Sequence, residues 1–137
     1  MALPNGAGGY QVGDGNVNDP LIDAIPEPIS ATTTTTFTAA QILNGLIFVN
    51  SGISANVAYT LPTVADLENV LINSDKVGTS FTFRVINLGT GSGTATVTTN
   101  TGWTITGSLT MVVPISSGAM MVARKSAAGA WTLYRVA

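Results

Sequence analysis

The chain has 137 residues, enough for one domain of ordinary size, and 45% of them are hydrophobic while only 9% are charged. That balance excludes a wholly disordered chain. The absence of Cys excludes disulfides and thiolate metal sites, and the absence of His removes the commonest general base and metal ligand.

With so few charges, Thr, Ser, Asn and Gly must cover much of the surface, and the positive mean hydropathy predicts that partner subunits cover some of the rest. The N-terminal stretch has no basic segment leading into an apolar one, and no apolar run approaches the roughly 20 residues of a membrane-crossing helix. The aromatics are not placed as the girdles of a membrane β-barrel. No membrane contact is expected.

Residues 1–30 carry Asp14, Asp19, Asp23 and Glu27 with no Lys or Arg, a net −4. The remainder carries Lys76, Arg84, Arg124, Lys125 and Arg135 against Asp66, Glu68 and Asp75, a net +2. The leading segment also holds Pro4, Pro20, Pro26 and Pro28 among several glycines, so it reads as an extended arm. Leu21, Ile22, Ile25 and Ile29 gain nothing on a free tail but fit an arm laid along another surface. With the four acidic groups they form the candidate contact set, and the expected organisation is an arm over 1–30 and a β-domain over 31–137.

After Ala31 the Thr run ending in Phe37 favours an edge strand. A short helical turn is expected at 39–43, strands at 46–50 and 56–61, and a helix from Thr63, whose hydroxyl and Asp66 form a capping pattern, to no later than Ser74. Val64, Leu67, Val70 and Leu71 give that helix a narrow apolar stripe, suited to plugging the end of a sheet and not to stacking on a second helix. Strands follow at 80–88, the clearest of them, with Phe81, Phe83 and Val85 on one parity and Leu88 off it, and at 94–99, 102–106, 109–114, 119–125 and 131–136. Short strands separated by Gly and Ser turns point to an all-β fold, a β-sandwich of jelly-roll type.

Motifs that would carry chemistry fall short. Asp14-Gly-Asn16-Val-Asn18-Asp19 begins like a calcium loop but places Asp19 and Ile25 where the EF-hand needs Gly and Glu. The glycines of 89–93 lie between two strands, so a hairpin loop is the better account than a phosphate cradle. Arg124, Lys125 and Arg135 form at most a small basic patch, and with five basic residues in all no nucleic-acid partner is expected. Asp66 and Glu68 are two apart on a helix and do not make a carboxylate pair, reading instead as charges that complement the helix start. Trp103 and Trp131 suit a core or an interface more than a sugar platform. No catalytic, metal or cofactor site is expected, and the chain does not read as an enzyme.

Tyr59-Thr-Leu-Pro62, the stretch from Val77 to Asn87, and Ala130-Trp-Thr-Leu-Tyr-Arg-Val136 together resemble the β-domain of structural proteins of tailed bacteriophages, in particular head decoration (cement) proteins. The resemblance covers 36–137. It implies a virion protein on the capsid exterior, a homotrimer at local three-fold positions that locks subunits of the major capsid protein together. Similar domains in fibre and tail proteins imply an alternative, a receptor- or glycan-binding role.

Overall fold

Strict alternation of inward and outward side chains builds most of this molecule. The computed structural model describes residues 26–44, 48–72, 76–107 and 110–137. Among the described residues, ten strands and two short helices run in the order β1 (Ile29–Ser30), β2 (Thr35–Thr36), α1 (Ala39–Asn44), β3 (Phe48–Ser51), β4 (Val57–Thr60), α2 (Val64–Val70), β5 (Ser80–Leu88), β6 (Ala95–Thr98), β7 (Trp103–Ile105), β8 (Val112–Val113), β9 (Ser117–Ala127) and β10 (Ala130–Arg135). On β5, Phe83, Val85 and Asn87 are buried while Thr82, Arg84 and Leu88 are exposed, the period-2 pattern of a sheet with one packed face.

The strands form two open mixed sheets, a six-stranded one in the order β1-β3-β5-β9-β10-β7 and a four-stranded one in the order β2-β4-β6-β8. The chain alternates between them. Strands β1, β3 and β5 run parallel in the first, and β2, β4 and β6 run parallel in the second. Ile29, Phe48 and Val85 share one rung of the first sheet, and Thr35, Tyr59 and Val97 share one rung of the second, so three successive coils stack in register. Strands β8 and β9 then reverse direction and close the stack with antiparallel pairings to β6 and β5.

The mostly β, two-sheet architecture agrees with expectation; the jelly-roll ordering is not what these pairings describe. Jelly rolls are antiparallel, whereas five of the eight described pairings are parallel. The cause lies in the connections. Helices α1 and α2 each return the chain from the four-stranded to the six-stranded sheet, which lets the next strand run parallel to the last. The 89–93 loop, expected as a hairpin, likewise carries the chain from β5 to β6 in the other sheet. A Cβ on Gly93 would collide with the Ala55 carbonyl, and one on Gly89 would lie 2.9 Å from Asn87 Oδ1, so these glycines let the loop pack on the preceding coil.

The helices are short and locally specified. The Thr63 hydroxyl accepts the Asp66 amide at 3.1 Å and donates to Asp66 Oδ2 at 2.7 Å. At α1, Thr38 Oγ1 accepts the Gln41 amide and Gln41 Oε1 accepts the Thr38 amide, a reciprocal capping box legible as Thr38-x-x-Gln41. Contrary to the sequence expectation, α2 does contact α1. Both connect adjacent coils in the same sense, so they come side by side, with Ile42 and Leu67 fully buried.

Both sheets contribute to one hydrophobic core, from Phe83, Val85, Met121, Trp131 and Leu133 on one side to Tyr59, Val97 and Val113 on the other. Within it the fully buried Asn87 amide donates to the Gly93 and Val113 carbonyls, at 3.1 and 3.0 Å, while its oxygen accepts the Gly89 amide. Its side chain is satisfied and ties β5 to β8 across the layers. Residues 29–30, counted with the arm in the sequence reading, are built into the six-stranded sheet as β1.

Candidate functional site

Two places concentrate polar or apolar features beyond packing: a buried charge pair under α2 and the outer side of the six-stranded sheet. The first begins with the alternation of β9, which turns Met121, Ala123 and Lys125 inward and Arg124 outward. Lys125 is therefore buried, and its Nζ lies 2.8 Å from Glu68 Oε1 on α2. Trp131 Nε1 donates to the same oxygen at 3.1 Å. The Lys125 hydrogen bond holds the Glu68 carboxyl below its usual range against the opposing effect of burial, with Trp131 adding to the lowering. The Trp103 ring lies 6.1 Å from that of Trp131, tilted 50° against it, and its indole donates to the Pro62 carbonyl at 2.8 Å.

This arrangement corrects two sequence readings. Arg124, Lys125 and Arg135 do not form a basic patch: Lys125 points inward, and the Arg135 guanidinium donates to the Thr110, Val112 and Ala137 carbonyls. Glu68 is also more than a charge at a helix start, since it compensates the buried ammonium. The group is an ion pair reinforced by the Trp131 indole, and it locks α2 onto β9 and β10. Among the described residues no three His, Cys, Asp or Glu side chains are placed to hold a metal ion, and no helix is long and apolar enough to cross a membrane.

Of the candidate contact set, Asp14, Asp19, Leu21, Ile22, Asp23 and Ile25 lie outside the described residues. Glu27 is exposed, and Ile29 is half-buried in β1 against the core. The structure therefore joins Ile29 to the body and leaves Glu27 at its edge.

The outer side of the six-stranded sheet is the second place. Its positions on β5, β9 and β10 include Arg84, Ile86, Leu88, Met120, Val122, Arg124 and Tyr134, with Leu88 half-exposed. Ile86, Leu88, Ile115 and Ser117 line a shallow open depression at one end. Compared with known proteins, the chain matches no family model, no curated protein and no solved structure.

The outer side of the four-stranded sheet differs in character: Thr36, Thr60 and Thr98 share a rung, and Thr60 and Thr98 hydrogen-bond at 2.9 Å. Sequence reasoning recognised the inward parity of β5 but did not single out Met120 and Val122, whose outward positions follow from the same alternation. Both Trp rings are buried, so neither offers a sugar a free face to stack on.

Proposed function

We propose that this protein is a non-enzymatic structural protein of a phage particle, a decoration or cement protein that binds the outside of the head and stabilises the shell through subunit contacts. In this reading the two sheets, β1 included, are the layers of a β-sandwich body, three bodies associate as a homotrimer, and the arm that precedes β1 lies on the major capsid protein or a neighbouring copy. The observation that carries it is the outer side of the six-stranded sheet, where Ile86, Leu88, Met120, Val122 and Tyr134 form an apolar surface broken only by Arg84 and Arg124 among the charged residues. A surface of that kind suits association with protein more than exposure to water. The phage resemblance of 36–137 supplies the shell as partner.

The competing reading, a receptor- or glycan-binding domain of a fibre or tail, would draw on Trp103 and Trp131, and their burial disfavours it. The test is sedimentation of the purified protein with undecorated shells of the phage that encodes it, together with its solution mass by light scattering across a dilution series. Saturable binding in a fixed ratio to capsid subunits, by a species three times the 14.0 kDa chain, is the expected result. Failure to sediment with the shells at any concentration overturns the proposal.

A further inference from the structure

The outer side of the six-stranded sheet has cations without counterions. Arg84 on β5 and Arg124 on β9 are both exposed, and among the described residues neither forms an ion pair. The outward positions of β5, β9 and β10 include no Asp or Glu. Between and beside the two guanidiniums lie the half-buried apolar side chains of Ile86, Met120, Val122 and Tyr134.

The segment preceding Pro26 has the complementary chemistry. Asp19 and Asp23 bracket Leu21 and Ile22, Ile25 follows, and no Lys or Arg occurs anywhere in 1–30. It is also attached in the right place. Strand β1 is an edge of this same sheet, two strands from β5, and the register of Ile29 with Phe48 and Val85 puts Pro28 level with Arg84. The chain therefore enters β1 from the half of the sheet that holds Arg84 and Arg124.

The reach is sufficient. Ala24 stands five residues before Ile29, about 17 Å of extended chain. Thr82 and Val122, which are register partners on β5 and β9, lie about 10 and 14 Å across the sheet from β1 and about 10 Å along it from the Ile29 rung, which puts them about 14 and 17 Å from Ile29, at the limit of that length. A tether this short gives the segment a high effective concentration at its own sheet, which favours it over the same segment of another molecule.

We propose that residues 19–25 fold back over the outer side of the six-stranded sheet of their own chain, with Asp19 and Asp23 beside Arg84 and Arg124, and with Leu21, Ile22 and Ile25 covering Ile86, Met120 and Val122. This deepens the arm reading above and rests on it only for the arm's later transfer to a neighbour or shell: the free protein keeps the arm on its own body. Exposed ion pairs each contribute little, so the charges set the register and the apolar cover supplies most of the hold.

The natural chain has no Cys, which makes engineered disulfides unambiguous reporters. A disulfide needs Cα atoms roughly 4.4 to 6.8 Å apart. The full chain is prepared with Ala24→Cys paired with Val122→Cys, with Thr82→Cys, or, as a control on the outer side of the other sheet, with Thr96→Cys. Each variant is checked against the parent by circular dichroism and oxidised at low-micromolar concentration, and the products are resolved by non-reducing gel and peptide mass. Intramolecular disulfides at Val122→Cys or Thr82→Cys, forming severalfold faster than the Thr96→Cys control and slowed severalfold by adding Arg84→Glu with Arg124→Glu, are expected. Rates equal to the control, rates indifferent to the arginine reversals, or purely intermolecular products overturn the proposal, the last by making another copy the occupant. The readout needs no shell, so failure to bind capsids with the disulfide intact would count against the proposed function alone.

Discussion

Lys125 on β9 and Glu68 on α2 form a 2.8 Å ion pair that is buried on the lysine side and partly open on the glutamate side. Removing one partner leaves the other charge uncompensated, and for a buried pair that costs about 3 to 5 kcal/mol. Partial exposure of Glu68 places Glu68→Gln near or below the lower end. Combining Glu68→Gln with Lys125→Met keeps an acceptor for the Trp131 indole and removes the stranded ammonium. Chemical denaturation should show the double variant to be more stable than Glu68→Gln alone; a double variant less stable than the single one would mean that the unpaired ammonium is not what destabilises Glu68→Gln.

The same pair sets an acid limit. Glu68 is held below its usual carboxylate range, so its folded form binds its proton less readily than its unfolded form. Its contribution is complete above the ordinary carboxylate pKa and is lost as pH falls through that value toward the lower folded one. Thermal melts from neutral pH down to about 3 should show a steeper loss for the natural chain than for Glu68→Gln. Parallel curves would assign the acid sensitivity to other carboxylates.

How much of this was legible in the sequence varies by residue. The alternation in 80–88 located β5 and its buried row, and Thr63 with Asp66 located the start of α2, because both signals are local. Thr38 and Gln41 carried an equally local capping signal. The pairing of sheets was not legible, since the strands alternate alike whether they pair parallel or antiparallel, and the 89–93 glycines look the same in a hairpin as in a crossover between layers. Lys125 and Glu68 are far apart in sequence; the only clue was that Lys125 shares the parity of Met121 and Ala123. The outer apolar surface was present in the opposite parity, at Met120 and Val122.

Gly93 and Gly118 separate steric need from mere occurrence. Neither has a positive φ, so the comparison is free of left-handed backbone effects. A Cβ at Gly93 would run into the backbone of Ala55, while one at Gly118 would find nothing nearer than 3.6 Å. Gly93→Ala should destabilise by about 1 to 3 kcal/mol through forced backbone shifts, and Gly118→Ala should stay within about 0.5 kcal/mol of the natural chain. Equal effects in urea denaturation would show that the 89–93 loop does not pack on the 53–55 turn as described.

Tyr59 sets the alkaline limit. Its ring is 1% exposed, tilted against Phe37, and its hydroxyl donates to the Ala31 carbonyl, joining β4 to the segment after β1. Burial pushes its pKa up from 10.0 to about 12. A raised folded pKa means that the stabilising contribution is whole below the unfolded value and is lost as pH rises between the two, because the unfolded phenol ionises first. Stability should therefore fall from about pH 10 upward in the natural chain. Tyr59→Phe begins about 1 kcal/mol less stable at neutral pH, from the lost hydrogen bond, but has no phenol to ionise at that position. Its stability curve should run flatter above pH 10, meet that of the natural chain near about pH 11 and lie above it by about pH 12. Unfolding followed by Trp fluorescence across that range checks it, and a constant gap between the two proteins would place the alkaline transition elsewhere.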